Sequence, residues 1–232
     1  MALPALNTPT YTLELPSTNE IVEFRPFLVK EHKILMSLSK SSHDEVSRVV
    51  KDVINVCTFN KLDLKNLPSF DIEYLFVNLR AKSIGEKIAI SVNCEKCDTK
   101  IKTNIDLNNV KIIKSDENVS NKVLIRDNTG ITLNYPKFEE IVKAADDISD
   151  KSKIFDLVAS CIDNVFVDDK VYDDFTQKEA QEFLSQFTQD EFAKIEGFFE
   201  SIPKVILHIE SVCPKCEHVN KSKLQGLQNF FV

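Results

Sequence analysis

Two pairs of cysteines with the same two-residue spacing carry the clearest chemistry in this sequence: Cys94 and Cys97 in "VNCEKCDTK", and Cys213 and Cys216 in "SVCPKCEHVN". A C-x-x-C turn offers two thiolates from one tight backbone bend, and two such turns complete a tetrahedral shell of four sulfurs. The pattern points to Zn²⁺ held by Cys94, Cys97, Cys213 and Cys216. A Cys₄ shell leaves no open position for water or substrate, so the ion is expected to be structural. Its part would be to clamp stretches far apart in sequence, because metal binding and folding are coupled. The competing reading is four free thiols or two redox pairs. Redox pairs gain reactivity at a helix start, and neither pair precedes a helical pattern here. His218 would crowd the second knuckle as a ligand, and His208 falls inside a strand pattern.

Other chemistry is thin. Asp168, Asp169, Asp173 and Asp174 lack the spaced oxygens and central glycine of a calcium loop. His32 and His43 stand in polar surroundings with no serine or cysteine beside them that would act as a nucleophile. Four glycines in 232 residues write no phosphate loop. No enzyme is expected.

The elements that must position the cysteines can be read on either side of them. Ile88, Ile90 and Val92 alternate into the first pair, and Ile101, Ile105 and Leu107 lead out of it, so the pair sits at a hairpin tip. "KVILHIESV" delivers the second pair in the same way. This doubled unit of strand, cysteine knuckle and strand resembles a zinc ribbon split by a long insertion. Upstream, "YTLEL", "PSTN" and "EIVEFRPF" read as a hairpin. Ser42 and Glu45 fit a capping box before Val46, Val49, Val50, Val53, Ile54 and Cys57. Pro68 and Ser69 open a second helix with Ile72, Leu75, Phe76 and Leu79 on one stripe, and Gly85 stops it.

Between the two knuckles, residues 108–128 read as a polar excursion with "KVLI" as a strand-like piece, and "GITLNYP" reads as a strand. A short helix over Phe138 to Ala145 follows. Ile154, Leu157, Val158, Cys161, Ile162 and Val165 then repeat a helical stripe. After a tight hairpin around Asp168 to Lys170, Thr176 with Glu179 and Thr188 with Glu191 write two capping boxes that open a helical hairpin. The fold class is therefore expected to be α+β. An N-terminal hairpin and helices would occupy residues 1–86, the two ribbon halves 87–107 and 204–232, and a mainly helical insertion 108–203.

Composition narrows the partners. With 43% hydrophobic residues the chain has material for a core, and its net charge of −7 argues against general attraction to phosphate backbones or anionic membranes. No run approaches the roughly 20 apolar residues that span a bilayer. The opening "MALPALNTPT" lacks a signal-like pattern, which points to the cytoplasm, where cysteines stay reduced and serve metals more often than disulfides. A zinc-ribbon regulator binding nucleic acid is the alternative, supported by Lys96, Lys100, Lys102, Lys215, Lys221 and Lys223 around the knuckles. The terminal Phe230, Phe231 and Val232 read as a tucked anchor or a partner-binding tip.

"VEFRPFLVKEHKILM", "LPSFDIEYLFVNLRAKSIGEKI" and "VCPKCEHVNKSKLQGLQNFF" together resemble the T4-type baseplate hub assembly proteins of contractile-tailed bacteriophages. Arg25, Pro26, Phe27, Arg80, Ser83, Gly85 and Glu86 fall on the family-like stretches, while the chain between residues 108 and 204 carries no matched motif. The resemblance implies a non-enzymatic component or assembly factor of the central baseplate hub. Its partners would be other tail and hub proteins. It would act in the host cytoplasm during assembly, and in the virion tail baseplate if it stays there.

Overall fold

Alternating burial sets up the first element: β1 (Tyr11–Glu14) pairs antiparallel with β2 (Ile21–Phe24), and Val22 and Phe24 point into the core. The computed structural model describes residues 6–38, 41–114, 120–145 and 151–226. Three helices follow the hairpin: α1 (Val29–Ser37), α2 (His43–Cys57) and α3 (Ser69–Ile84). Ser42 caps α2 by accepting from the Glu45 N–H at 3.3 Å. Among the described residues this cap is one-sided, so only half of the expected capping box forms there.

Several residues of the family-like stretches turn out to be stitches. The Arg25 N–H donates to the Cys57 carbonyl at 2.9 Å, and its guanidinium pairs with Glu31 at 3.0 Å. Burial alone would raise the Glu31 pKa, but Arg25 and the Leu28 N–H outweigh it and keep the carboxylate charged. The Phe27 N–H donates to the Ser83 hydroxyl at 2.9 Å, tying the hairpin exit to the end of α3. Arg80 is buried, and Glu86 pairs with Lys82 at 2.6 Å.

α3 is apolar on two faces, and one stripe was expected. Ile72, Leu75, Phe76 and Leu79 join the N-terminal core with Leu15, Phe24, Val50 and Ile54. Phe70, Val77 and Ala81 join a separate core with Ile105, Leu107, Val205, Leu207 and Ile209. A helix hydrophobic most of the way round is an interior helix, and α3 thus connects the N-terminal region to the strands that carry the cysteines. Its first turn is tied down by Asp71, whose carboxylate accepts from the Ser17 N–H at 3.2 Å and from the Ser17 hydroxyl.

The strands form small antiparallel sheets. β3 (Lys87–Asn93) pairs with β4 (Lys100–Asp106), after which a 3₁₀ turn spans Leu107–Asn109 and β5 (Lys111–Ile113) follows. β6 (Lys122–Arg126), β7 (Thr129–Leu133), α4 (Phe138–Ala145), α5 (Lys151–Ser160), β8 (Ile162–Val167) and β9 (Lys170–Tyr172) come next. The chain continues with α6 (Gln177–Leu184), α7 (Gln189–Ser201), β10 (Lys204–Val212) and β11 (Val219–Gln225). β5 lies against β10 on the edge opposite β11, so part of the supposed polar excursion belongs to the cysteine-bearing sheet.

The region between residues 108 and 203 carries a sheet as well as helices. It contains the four-stranded sheet β6-β7-β8-β9, covered by α5, α6 and α7 around Ile125, Ile131, Val165, Leu184, Ile195 and Phe198. The helix expected through Val165 stops at Ser160, and β8 takes over. A bulge explains the misleading spacing: Leu133 pairs with Ile162 while Thr132 pairs with Asn164, leaving Asp163 extra. An extra strand residue puts Ile162 and Val165 on one face, where a regular strand would put them on opposite faces. A three-residue repeat thereby imitates a helix. Thr176 with Glu179 and Thr188 with Glu191 form complete capping boxes, as expected.

Candidate metal centre

Each cysteine pair sits at the end of a regular hairpin, and the two knuckles are built alike. The Cys94 N–H donates to the Thr99 carbonyl and the Asp98 N–H to the Cys94 carbonyl, both at 2.9 Å. In the second, the Cys213 N–H donates to the His218 carbonyl at 2.9 Å and the Glu217 N–H to the Cys213 carbonyl at 3.0 Å. Asp98 and Glu217 both take a left-handed backbone, with φ of 55° and 56°. Acidic side chains tolerate this conformation better than branched ones, which lets the chain reverse directly after each second cysteine.

The four sulfurs converge. The Sγ atoms of Cys94, Cys97, Cys213 and Cys216 all lie within 4.8 Å of one another. Cys94 and Cys216 are 3.6 Å apart, and Cys97 and Cys213 are 3.5 Å apart. With a metal–sulfur bond near 2.3 Å, a regular tetrahedron places its sulfurs about 3.8 Å apart. The Cys94–Cys216 and Cys97–Cys213 separations lie close to that spacing. The donor set fits a tetrahedral ion that favours thiolates, and these four cysteines can hold a metal ion.

The surroundings favour thiolates unevenly. The Thr99 hydroxyl and N–H hold Cys97 down at about 6. Burial opposes ionisation of Cys94, yet the N–H groups of Lys96 and Cys97 draw its pKa below the ordinary thiol value. The His218 N–H favours a thiolate at Cys216, but burial and the three neighbouring sulfurs push it up to about 12. Mutual repulsion resists four thiolates without a cation among them. The other two cysteines behave as core residues, as their helical spacing suggested: burial raises Cys57 to about 11 and Cys161 to about 12.

Cys94, Ile101 and Cys213 form a small buried cluster with Val92, Cys97 and Cys216 packed against it. One polar residue enters this shell that spacing alone did not flag. Asn220 on β11 is buried, and its Oδ1 accepts from the Glu95 N–H in the other knuckle at 2.9 Å.

The profile of the family described as T4 bacteriophage base plate protein matches residues 8–232. The chain belongs to this family of T4 bacteriophage base plate proteins. Neither curated proteins nor solved structures gave a match. The matched span includes the region between residues 108 and 204 of this baseplate protein, which carries none of the family-like stretches. Among the described residues no helix is long and apolar enough to cross a membrane.

The remaining sequence candidates can be placed. His218 is half-buried and contributes a backbone carbonyl to its knuckle, with the cluster made of the four cysteines. His208 is exposed on β10, and Lys96, Lys100, Lys102, Lys215, Lys221 and Lys223 are all exposed. Acidic residues interrupt that basic group: Glu95, Asp98, Glu210 and Glu217 are exposed beside it, and Glu210 stands opposite Lys221 in the β10–β11 register. Asp168 and Asp169 form the two-residue turn between β8 and β9. Phe230, Phe231 and Val232 lie outside the described residues.

Proposed function

We propose that this baseplate-family chain is a non-enzymatic component or assembly factor of the central baseplate hub, and that its two knuckle hairpins are joined by one structural Zn²⁺ at Cys94, Cys97, Cys213 and Cys216. The observation that carries the metal reading is the convergence of four sulfurs from hairpins at distant points in the chain. Zinc is the reading for the ion because a closed shell of four thiolates suits a tetrahedral, redox-inert cation. The hub reading is supported by the family match together with the resemblance of the N-terminal, α3 and C-terminal stretches to hub assembly proteins.

In this reading residues 1–86 form one region, 87–107 and 204–232 the two halves of a ribbon, and 108–203 the insertion between them. The zinc holds the ribbon closed, and through α3 it steadies the surfaces offered to other tail proteins. Assembly takes place in the host cytoplasm, and the finished site is the tail baseplate. The mixed charge around the knuckles disfavours the alternative of a nucleic-acid regulator.

A pull-down of tagged full-length chain from infected cells, followed by mass spectrometry, tests the assignment. Recovery of hub and tail proteins is expected. Recovery of host or phage nucleic acid in their place, with a retarded DNA band at about 0.15 M salt, would overturn it.

A further inference from the structure

The two knuckles are related by a pseudo-twofold exchange. Swapping Cys94 with Cys213 and Cys97 with Cys216 carries the 3.6 Å Cys94–Cys216 contact onto the 3.5 Å Cys213–Cys97 contact. It also carries Asp98 onto Glu217, each with its left-handed φ, and Thr99 onto His218, each accepting from the first cysteine of its own knuckle. Such a pair of hairpins poses a problem of specificity, because either knuckle matches a second copy of itself as well as it matches the other.

The symmetry breaks at one linked set of positions. Glu95, directly after Cys94, has a backbone N–H, and Asn220 accepts from it across the hairpins at 2.9 Å. The exchange carries Glu95 onto Pro214, which has no N–H to satisfy. It carries Asn220 onto Ile101, which has no acceptor to offer and is buried with Cys94 and Cys213. A donor is thus matched by an acceptor on one side, and a missing donor by an apolar residue on the other. The orientation of the Asn220 amide is fixed by its surroundings, since Nδ2 donates to the Ser211 carbonyl at 3.3 Å and to the His218 carbonyl at 3.1 Å. With both donors directed at carbonyls, the oxygen is left for Glu95. Pairing the first knuckle with its like would set the Glu95 N–H against Ile101, which offers it no side-chain acceptor.

We propose that Asn220 is the positioning residue of the metal centre and that the Glu95–Asn220 and Pro214–Ile101 combinations make each knuckle accept the other in preference to its like. The inference rests on the reading of the four cysteines as metal ligands. The Asn220 amide hydrogen-bonds backbone groups: the Glu95 N–H and the Ser211 and His218 carbonyls. It acts through the backbone of the first knuckle, setting where Cys94 and Cys97 meet Cys213 and Cys216.

The test uses the full chain, Zn²⁺ as the probe and a chromophoric chelator as competitor. Asn220→Ile should weaken zinc binding about 10- to 100-fold, the range seen when residues behind metal ligands are removed. Glu95→Pro combined with Asn220→Ile should recover part of that loss, because the Glu95 donor and its acceptor are then both gone while the Ser211 and His218 carbonyls still lack the Asn220 amide, and Pro214 shows that proline suits the position. A purely local stability effect of Asn220→Ile would not be rescued in this way. Unchanged affinity in Asn220→Ile, or a double variant no tighter than the single one, would overturn the positioning role. If Asn220→Ile fails to fold, hydrogen exchange at the Glu95 amide of zinc-loaded wild type decides: slow exchange is expected, and the rate of an unpaired loop amide would overturn the proposal. Wild type that takes up no zinc overturns the metal reading itself, and the positioning role with it; wild type that binds while Asn220→Ile binds equally well overturns only the latter.

Discussion

Replacing Cys213 with serine removes the most buried of the four clustered cysteines. Cys213 is 0% exposed, its Sγ lies 3.5 Å from that of Cys97, and it directly follows β10, which supplies Val205, Leu207 and Ile209 to the core against α3. A serine hydroxyl stays protonated near neutral pH and does not replace a thiolate as a ligand for a soft site. If the loss of one ligand in four weakens metal binding about 1,000-fold, the stabilisation conferred by bound metal falls by roughly 4 kcal/mol. In a chain of this length each kcal/mol moves Tm by about 2–4 °C, so the loaded Cys213→Ser protein should melt about 8–16 °C below the parent. Part of any such drop is the ordinary cost of burying a hydroxyl, about 1–3 kcal/mol. Cys57→Ser and Cys161→Ser measure that part, because both are buried cysteines outside the cluster. The assay is thermal unfolding of all four proteins with and without a strong zinc chelator. The parent, Cys57→Ser and Cys161→Ser should each lose stability when the chelator is added, while Cys213→Ser should lose little more. Equal chelator shifts in Cys213→Ser and Cys57→Ser would refute the reasoning, since the metal would then be held elsewhere or not at all.

Gly130 lies under Phe166, and an added Cβ would meet the Phe166 ring at 2.2 Å and the Val123 carbonyl at 2.6 Å. Gly130→Ala should cost about 1–3 kcal/mol in urea unfolding, because the backbone oxygen cannot yield as a side chain can. The Arg126 guanidinium, with help from the Thr188 N–H, holds Glu191 at about 2. The sign follows from the depressed value: the contribution is complete above the unfolded-state value near 4.5 and is lost as pH falls through about 2. Glu191→Gln should therefore flatten the acid limb of a stability–pH curve between those values, and an unchanged limb would count against the ion pair. Leu75, 1% exposed in the N-terminal core, should cost about 2–5 kcal/mol as Leu75→Ala by chemical denaturation.

The candidate site was legible because its signal is local. Two C-x-x-C turns between alternating strands state ligand type, ligand number and hairpin context within a few residues, and the strands fall where the alternation of Ile88, Ile90 and Val92 put them. The capping boxes at Thr176 and Thr188 were legible for the same reason. What escaped was set by pairing across long distances. β5 is a three-residue strand paired with the edge of β10, and nothing in Lys111–Ile113 announces that partner. Ile162 and Val165 repeat at a helical interval because a bulge at Asp163 turns both inward. The second apolar face of α3 was hidden by a stripe that already accounted for a helix, although Phe70, Val77 and Ala81 stand in plain view. Asn220 carried no metal-ligand signature, and comparing the two knuckles position by position is the signal that finds it: Glu95 faces an acceptor where Pro214 needs none.

The central claim is that one ion joins the two hairpins, and metal content tests it most directly. Protein purified under reducing conditions, without added metal and with extensive dialysis, should return one zinc per chain by elemental analysis, and cobalt exchanged into it should give the intense thiolate bands of a tetrahedral site. Protein that is folded and reduced, yet holds well under one equivalent of metal, would contradict it.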